Sequence, residues 1–273
     1  MQQFRGIIGA ANWITNSTRP DLAAWTALLQ QKIGKATVDD LIDANRLVAK
    51  IRDLKHTKVV VKSIPFEKGC LVTTSDASWA NCADLGSQAA YMVLFAHEDL
   101  KKDQWAEVSP LRWKSWKLER KTQSTLGAEL MSVSRAIAEG DWLRSLFSEA
   151  TQFDYCLSED RVRRQRLPMV AITDNKPVYD HCVGDGVVIR DKRLAIDMLV
   201  VRADLRSQQI TLRWVDGRQM LVDSLTKMTA SPDFLLFVMK YGKYICVDEG
   251  QTLEWKAQER DFKKSLNASK RGV

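Results

Sequence analysis

Four carboxylates stand at the edges of apolar segments. Asp76 follows an apolar run, in Ser75-Asp76-Ala77-Ser78. Glu129 lies in Ser124-Thr125-Leu126-Gly127-Ala128-Glu129, in the first turns of a long helical pattern. Asp174 follows a second apolar run, in Thr173-Asp174-Asn175, and Asp223 sits in Leu221-Val222-Asp223-Ser224-Leu225-Thr226-Lys227. A carboxylate set among apolar neighbours is costly to bury unless something positive meets it. Several brought within a few ångströms would repel and raise one another's pKa, and no Lys or Arg adjoins all four in sequence. Divalent cations resolve that conflict. Oxygen ligands, with few His and no paired Cys, favour Mg²⁺ or Mn²⁺ over zinc. Two such ions about 3.5–4 Å apart would activate a water and stabilise the leaving oxygen of an in-line phosphoryl displacement. No general-base side chain is then required. Taken singly, each acid also reads as a strand cap or a surface group; the four in this order of elements are what sharpen the pattern.

The elements that must position them follow from periodicity. Residues 4–60 read as helical: Leu22, Trp25, Leu28, Leu29 and Ile33 share one stripe, and Thr37 with Asp40 forms a capping-box start for a helix that buries Leu41, Ile42, Val48, Ile51 and Leu54. The β-branched run Lys58 to Lys62 reads as strand-like. Strands are then expected from Cys70 to Ser75, from Gln88 to Ala96, and from Pro110 through Trp113 and Trp116, joined as an antiparallel meander. A helix from Ser124 to Glu149 follows, with Ser124 or Thr125 as cap. Met169 to Thr173 is a short, wholly apolar strand of the kind buried on both faces. A helix over 175–183, a turn at 184–186, a helix over 190–206, a strand over 210–215 and a closing helix over 219–228 complete the pattern. Beyond it come a helix over 234–239, a strand-like piece around 244–247 and a charged tail. The order βββ–α–β–α–α–β–α predicts a mixed sheet flanked by helices. Asp76 and Asp174 then follow neighbouring strands if the first strand is central.

Bulk properties exclude several alternatives. The 273 residues are 45% hydrophobic and include nine Trp, enough for a real core. A formal charge of +7 favours a polyanionic partner. Five widely spaced Cys argue against a disulfide scaffold or zinc module and for a reducing compartment. The scattered His56, His97 and His181 do not assemble a triad. No apolar run is long enough for a membrane span, and the N-terminal segment does not read as a signal peptide.

The motifs resemble the ribonuclease H domain of copia-type retrotransposon polyproteins. Such domains run from "SDADWA" through "SSTEAEY" and "DNQSA" to "LADILTK". This chain has Ser75-Asp76-Ala77-Ser78-Trp79-Ala80, Ser124-Thr125-Leu126-Gly127-Ala128-Glu129-Leu130, Asp174-Asn175-Lys176 and Leu221-Val222-Asp223-Ser224-Leu225-Thr226-Lys227. Trp113-Lys114-Ser115-Trp116-Lys117 resembles "SWSSKKQ", Trp142-Leu143 resembles "WLRRLL", and Thr18-Arg19-Pro20-Asp21-Leu22 resembles the "TRPDI" stretch between polymerase and nuclease. The resemblance covers residues 4–228. It implies a ribonuclease H-like α/β fold with a mixed five-stranded sheet behind an N-terminal helical segment. It divides the chain into a reverse-transcriptase connection remnant (1–66), the nuclease domain (67–228) and a C-terminal helix with charged tail (229–273). It implies cleavage of the RNA strand of RNA–DNA hybrids with two Mg²⁺ ions, Mn²⁺ substituting. Asp76 would bridge both ions, Glu129 and Asp174 would hold the one near the leaving group, and Asp223 would complete the one that activates water. Glu129 would also reach the ribose 2′-hydroxyl.

Three positions depart from the family pattern: Gly127 replaces an acid, Lys176 a Gln and Ala195 a His. The polymerase Tyr-x-Asp-Asp turn is absent, so no DNA synthesis is expected. Ser78, Thr125, Asn175, Lys117 and Arg193 are the expected nucleic-acid contacts, and the cluster Arg161 to Arg166 reads as a solvated loop. Trp113 and Trp116 fall on opposite faces of their strand, so one of the two belongs to the core. The expected partners are the hybrid and the polymerase part of the same polyprotein, with neither membrane nor small-molecule substrate. The expected setting is intracellular: cytoplasm, virus-like particle or nucleus. Two other readings stay open: a non-catalytic nucleic-acid-binding or structural remnant with the same fold, and a nuclease acting on DNA.

Overall fold

A computed structural model describes residues 2–184 and 189–247, with 250, 253 and 254. Three helices come first: α1 (Gln2–Ser17), α2 (Ala23–Gln30) and α3 (Val38–Asp53). The capping box is present, with Thr37 accepting from Asp40 N and Asp40 accepting from Thr37 N. These helices bury a cluster of their own around Phe4, Ile8, Leu22, Leu29 and Leu47.

The sheet follows. Strands β1 (Gly69–Ser78), β2 (Gln88–His97) and β3 (Ala106–Lys117) form the expected antiparallel meander. The long helix α4 (Thr125–Thr151), capped by Ser124, and a short helix α5 (Asp160–Arg163) lead to β4 (Met169–Thr173). Helices α6 (Lys176–Val183) and α7 (Lys192–Ser207), then β5 (Ile210–Trp214), close the parallel half. Helix α8 (Asp233–Tyr241) precedes β6 (Lys243–Tyr244), which adds two residues to the β3 edge. The order is β5-β4-β1-β2-β3-β6, so β1 is central as expected. The five expected strands are present in the expected mixed α/β arrangement, and the sixth is the short edge piece.

Both faces of the sheet are covered, which explains the continuous burial of β1, β2 and β4. Val72, Met92, Leu94, Val170 and Ile172 pack with Leu235, Val238 and Met239 of α8 on one face. Leu71, Tyr91, Val93 and Ala171 pack with Leu130, Val133 and Ile137 of α4 and Val201 of α7 on the other. Trp113 joins the first face, its indole donating to Thr15 O at 2.7 Å; Trp116 lies on the second, its ring 5.6 Å from that of Tyr91.

Four expectations are corrected. Strand β1 runs through Asp76 to Ser78, because β2 continues to pair with it as far as Gln88. The run Lys58 to Lys62 is extended but unladdered: Val60 N bonds to Met239 O and Lys62 N to Ser109 Oγ, without a strand to pair with. The closing helix over 219–228 is instead two 3₁₀ turns, Gly217–Gln219 and Asp223–Leu225. Met220, Leu221 and Val222 are all buried, and a helix would carry one of three consecutive residues outward. Residues Arg161 to Arg166 include helical turns, with Arg163 paired to Asp154 and Glu159. The turn at 184–186 falls partly, and the charged tail almost wholly, outside the described residues.

Candidate metal centre

Strand pairing sets two of the carboxylates side by side. In the parallel β1–β4 pair Thr74 lies opposite Ile172; two residues further on, that register brings Asp76 level with Asp174. Helix α4 supplies Glu129, and Ser132 one turn later ties this helix to β1 and β2 by donating to Asp76 O at 2.9 Å and Ala90 O at 3.0 Å. Asp76, Glu129 and Asp174 each offer an oxygen within 4.8 Å of the others. Asp76 and Glu129 are 3% and 4% exposed. The end of β4 is held by the Trp214 indole, which donates to Asp174 O at 2.9 Å.

Asp223 is adjacent but outside that group. Its turn is pinned to Asp76 by Thr226, whose hydroxyl donates to Asp76 Oδ2. Lys227 then spans the two acids, with Nζ 2.5 Å from Asp223 Oδ1 and 3.8 Å from Asp76 Oδ2.

The charge balance is poor without a further cation. Burial raises the Glu129 pKa well above the carboxylate range, and the charges of Asp76 and Asp174 push it further. Burial, then Asp76, raises Asp174 to about 7. Asp76 is also raised by burial, against the pull of Lys227 and Thr226. Burial disfavours the Lys227 ammonium, but Asp76 and Asp223 outweigh it and hold the pKa above the lysine value. Glu129 Oε2 is buried with no hydrogen-bond partner. A divalent cation fits this donor set: hard oxygens, excess negative charge and an orphaned acceptor. Space is preserved too, since a Cβ on Gly217 would come within 3.3 Å of Asp174 Oδ2.

The expected nucleic-acid residues are dispersed around this centre. Ser78 ends β1 and is half-buried, and Thr125 opens α4 in the open. Asn175 caps α6, its side-chain oxygen accepting from Val178 N at 3.1 Å. Lys117 pairs with Asp84, while Arg193 lines a small cavity with Arg120, Lys121 and Ser124 between the starts of α4 and α7. At the departures from the family pattern, Lys176 turns onto Asp180 and the Trp214 ring, Gly127 sits in the capped first turn of α4, and Ala195 lies on α7. Thr226, Lys227, Trp214 and Gly217 are parts of the site that motif spacing leaves without a role. The four-residue interval from Asp223 to Lys227 was the one available signal.

No family model matches the chain. The chain is similar to the retrovirus-related Pol polyproteins from transposons RE1 and RE2 of Arabidopsis thaliana, at 27% identity over 244 residues, or 88% of its length. It spans about 15% of the length of those relatives. Among solved structures it is similar to an N-terminal RNase H domain from Mycobacterium tuberculosis (TM-score 0.37, 15% identity, 60% of this chain and 93% of that one). Another is RNase H1 of Halobacterium salinarum (TM-score 0.36, 12% identity, 60% and 96%). A third is a foamy viral protease-reverse transcriptase in complex with RNA/DNA hybrid (TM-score 0.37, 11% identity, 73% and 28%). No helix among the described residues is long and apolar enough to cross a membrane.

Proposed function

We propose that this chain is a metal-dependent ribonuclease H that hydrolyses the RNA strand of RNA–DNA hybrids. The observation that carries this reading is the group of buried Asp76 and Glu129 with half-buried Asp174, with too little positive charge of its own and an unpartnered Glu129 oxygen. Asp76, Glu129, Asp174 and Asp223 would hold two Mg²⁺ ions, with Mn²⁺ as substitute. When bound, the ions supply a water nucleophile at neutral pH and charge stabilisation for the leaving oxygen.

The chain's own residues do the positioning. Thr226 orients Asp76, and Trp214 holds the strand end that bears Asp174. Ser78, Thr125 and Asn175, each within four residues of one of the carboxylates in sequence, would meet the hybrid. Lys117 and Arg193 would contact its phosphates, a mode of contact indifferent to base sequence. Residues 67–228 would form the nuclease and 1–66 its joining segment to a polymerase part, with 229–273 as the C-terminal extension. The setting would be the cytoplasm, a virus-like particle or the nucleus of a host cell.

The test is cleavage of a labelled hybrid, duplex DNA and duplex RNA with Mg²⁺, Mn²⁺ or a chelator. Metal-dependent cutting of the RNA strand of the hybrid is the expected result. Hybrid binding without cutting under any metal would favour the non-catalytic reading, and cutting of duplex DNA would favour a DNA nuclease.

A further inference from the structure

The carboxylate group faces a cation that the chain itself provides. Lys227 Nζ lies 2.5 Å from Asp223 and 3.8 Å from Asp76. Its backbone is held in place: Lys227 N bonds to Asp223 O at 3.1 Å, and the preceding Thr226 is anchored by its hydroxyl to Asp76. Asp223 is thereby engaged, and it is absent from the group of acids whose oxygens converge within 4.8 Å. The Lys227 side chain is 40% exposed, so it has a path into water. Within the converging group, Glu129 Oε2 is buried and has no hydrogen-bond partner.

Resting on the metal-centre reading, we propose that Lys227 is an internal counter-ion that makes the two ion positions unequal. The first divalent ion enters at Asp76, Glu129 and Asp174. A second binds beside Asp223 only when the Lys227 ammonium swings away. The reason is electrostatic. An ammonium and a divalent cation cannot share one carboxylate edge without strong repulsion, and the half-buried setting screens that repulsion poorly. Four ionised carboxylates are fully neutralised by two divalent ions, so a fixed ammonium is then surplus; with one ion, it offsets part of the remaining negative charge. Displaced into solvent, Lys227 would be free to meet a phosphate of the bound strand.

The experiment is a Mn²⁺ titration of the full chain, with free Mn²⁺ read by electron paramagnetic resonance and no substrate present. The parent should bind one ion tightly and one weakly. Lys227→Gln should tighten the weak ion about tenfold or more, as expected for removing one nearby positive charge. Lys227→Arg should behave as the parent. Asp223→Asn should abolish the weak ion and leave the tight one, a check that holds if Lys227→Gln folds poorly. Parent-like binding by Lys227→Gln, or loss of the tight ion in Asp223→Asn, would overturn the counter-ion role while leaving the metal centre standing. No Mn²⁺ bound by the parent would overturn both.

Discussion

Two of the buried charged sites on helix α4, one toward each end, are solved in opposite ways. Near its C-terminal end, Arg144 is wholly buried but surrounded by acceptors. It pairs with Asp141 at 3.0 Å and donates to the carbonyls of Arg164, Leu167 and Gln208, leaving Nη2 alone without a partner. Near its N-terminal end, Glu129 faces two more carboxylates and keeps an oxygen unpaired. The first arrangement is closed and joins α4 to the start of β4 and the end of α7. The second is open to whatever cation arrives. Buried charge satisfied from within marks structure; buried charge of one sign left unsatisfied marks a place for a ligand.

The largest expected effect separates these roles. Asp76→Asn should reduce hybrid cleavage by at least about a hundredfold, a conservative figure for loss of a group that stabilises the reacting charges. It should leave the metal-free melting temperature unchanged or higher, since it relieves repulsion. Cleavage at the parental rate would place the reacting centre elsewhere. At the opposite end of the helix, Arg144→Met should do the reverse. Breaking a buried pair from one side costs roughly 3–5 kcal/mol. Urea denaturation should show that loss, and a variant as stable as the parent would mean that Asp141 and the carbonyls find other partners.

A smaller effect lies in the pH dependence of the metal-free protein. Asp174 rises from 3.8 unfolded to about 7 folded, so the folded state binds more protons between those values. Its contribution to stability is present below about pH 4 and is lost as pH rises toward 7. Asp174→Asn should therefore gain on the parent in melting temperature across that window, and saturating Mn²⁺ should shrink the difference by stabilising the parent. A constant difference at all pH values would break the account of the cluster. The smallest effect is expected from Ser132→Ala. Its hydroxyl is shared between two carbonyls of β1 and β2, so its loss should cost about 1 kcal/mol in denaturant unfolding.

Much of this arrangement was legible in the residues. The long apolar periodicity of α4 and the wholly apolar run of β4 announced elements buried on their outer faces, and both formed at the expected places. The capping box at Thr37 was readable because it is local: a hydroxyl and a carboxylate three residues apart close on each other's backbone. The segment 219–228 departs from its expected helix, since its apolar residues do not share one helical face. Three successive buried residues instead demand contacts in several directions, which an irregular turn between the sheet and α2 provides. The unladdered run at Lys58 to Lys62 shows the other limit, since β-branched residues favour extended backbone without naming a partner strand.

The sequence by itself determined which residue types were available for chemistry, their order along the chain and the alternation of strands and helices that bears them. These are properties of near neighbours, written in periods of two and 3.6 residues. Only the tertiary structure decided that Asp76 and Asp174 stand level across neighbouring parallel strands, that Glu129 joins them, and that Asp223 lies outside that group, paired with Lys227. Those facts depend on register and on packing between segments distant in sequence, where a shift of one residue reverses a side chain's face and a few ångströms decide whether charges repel or share an ion.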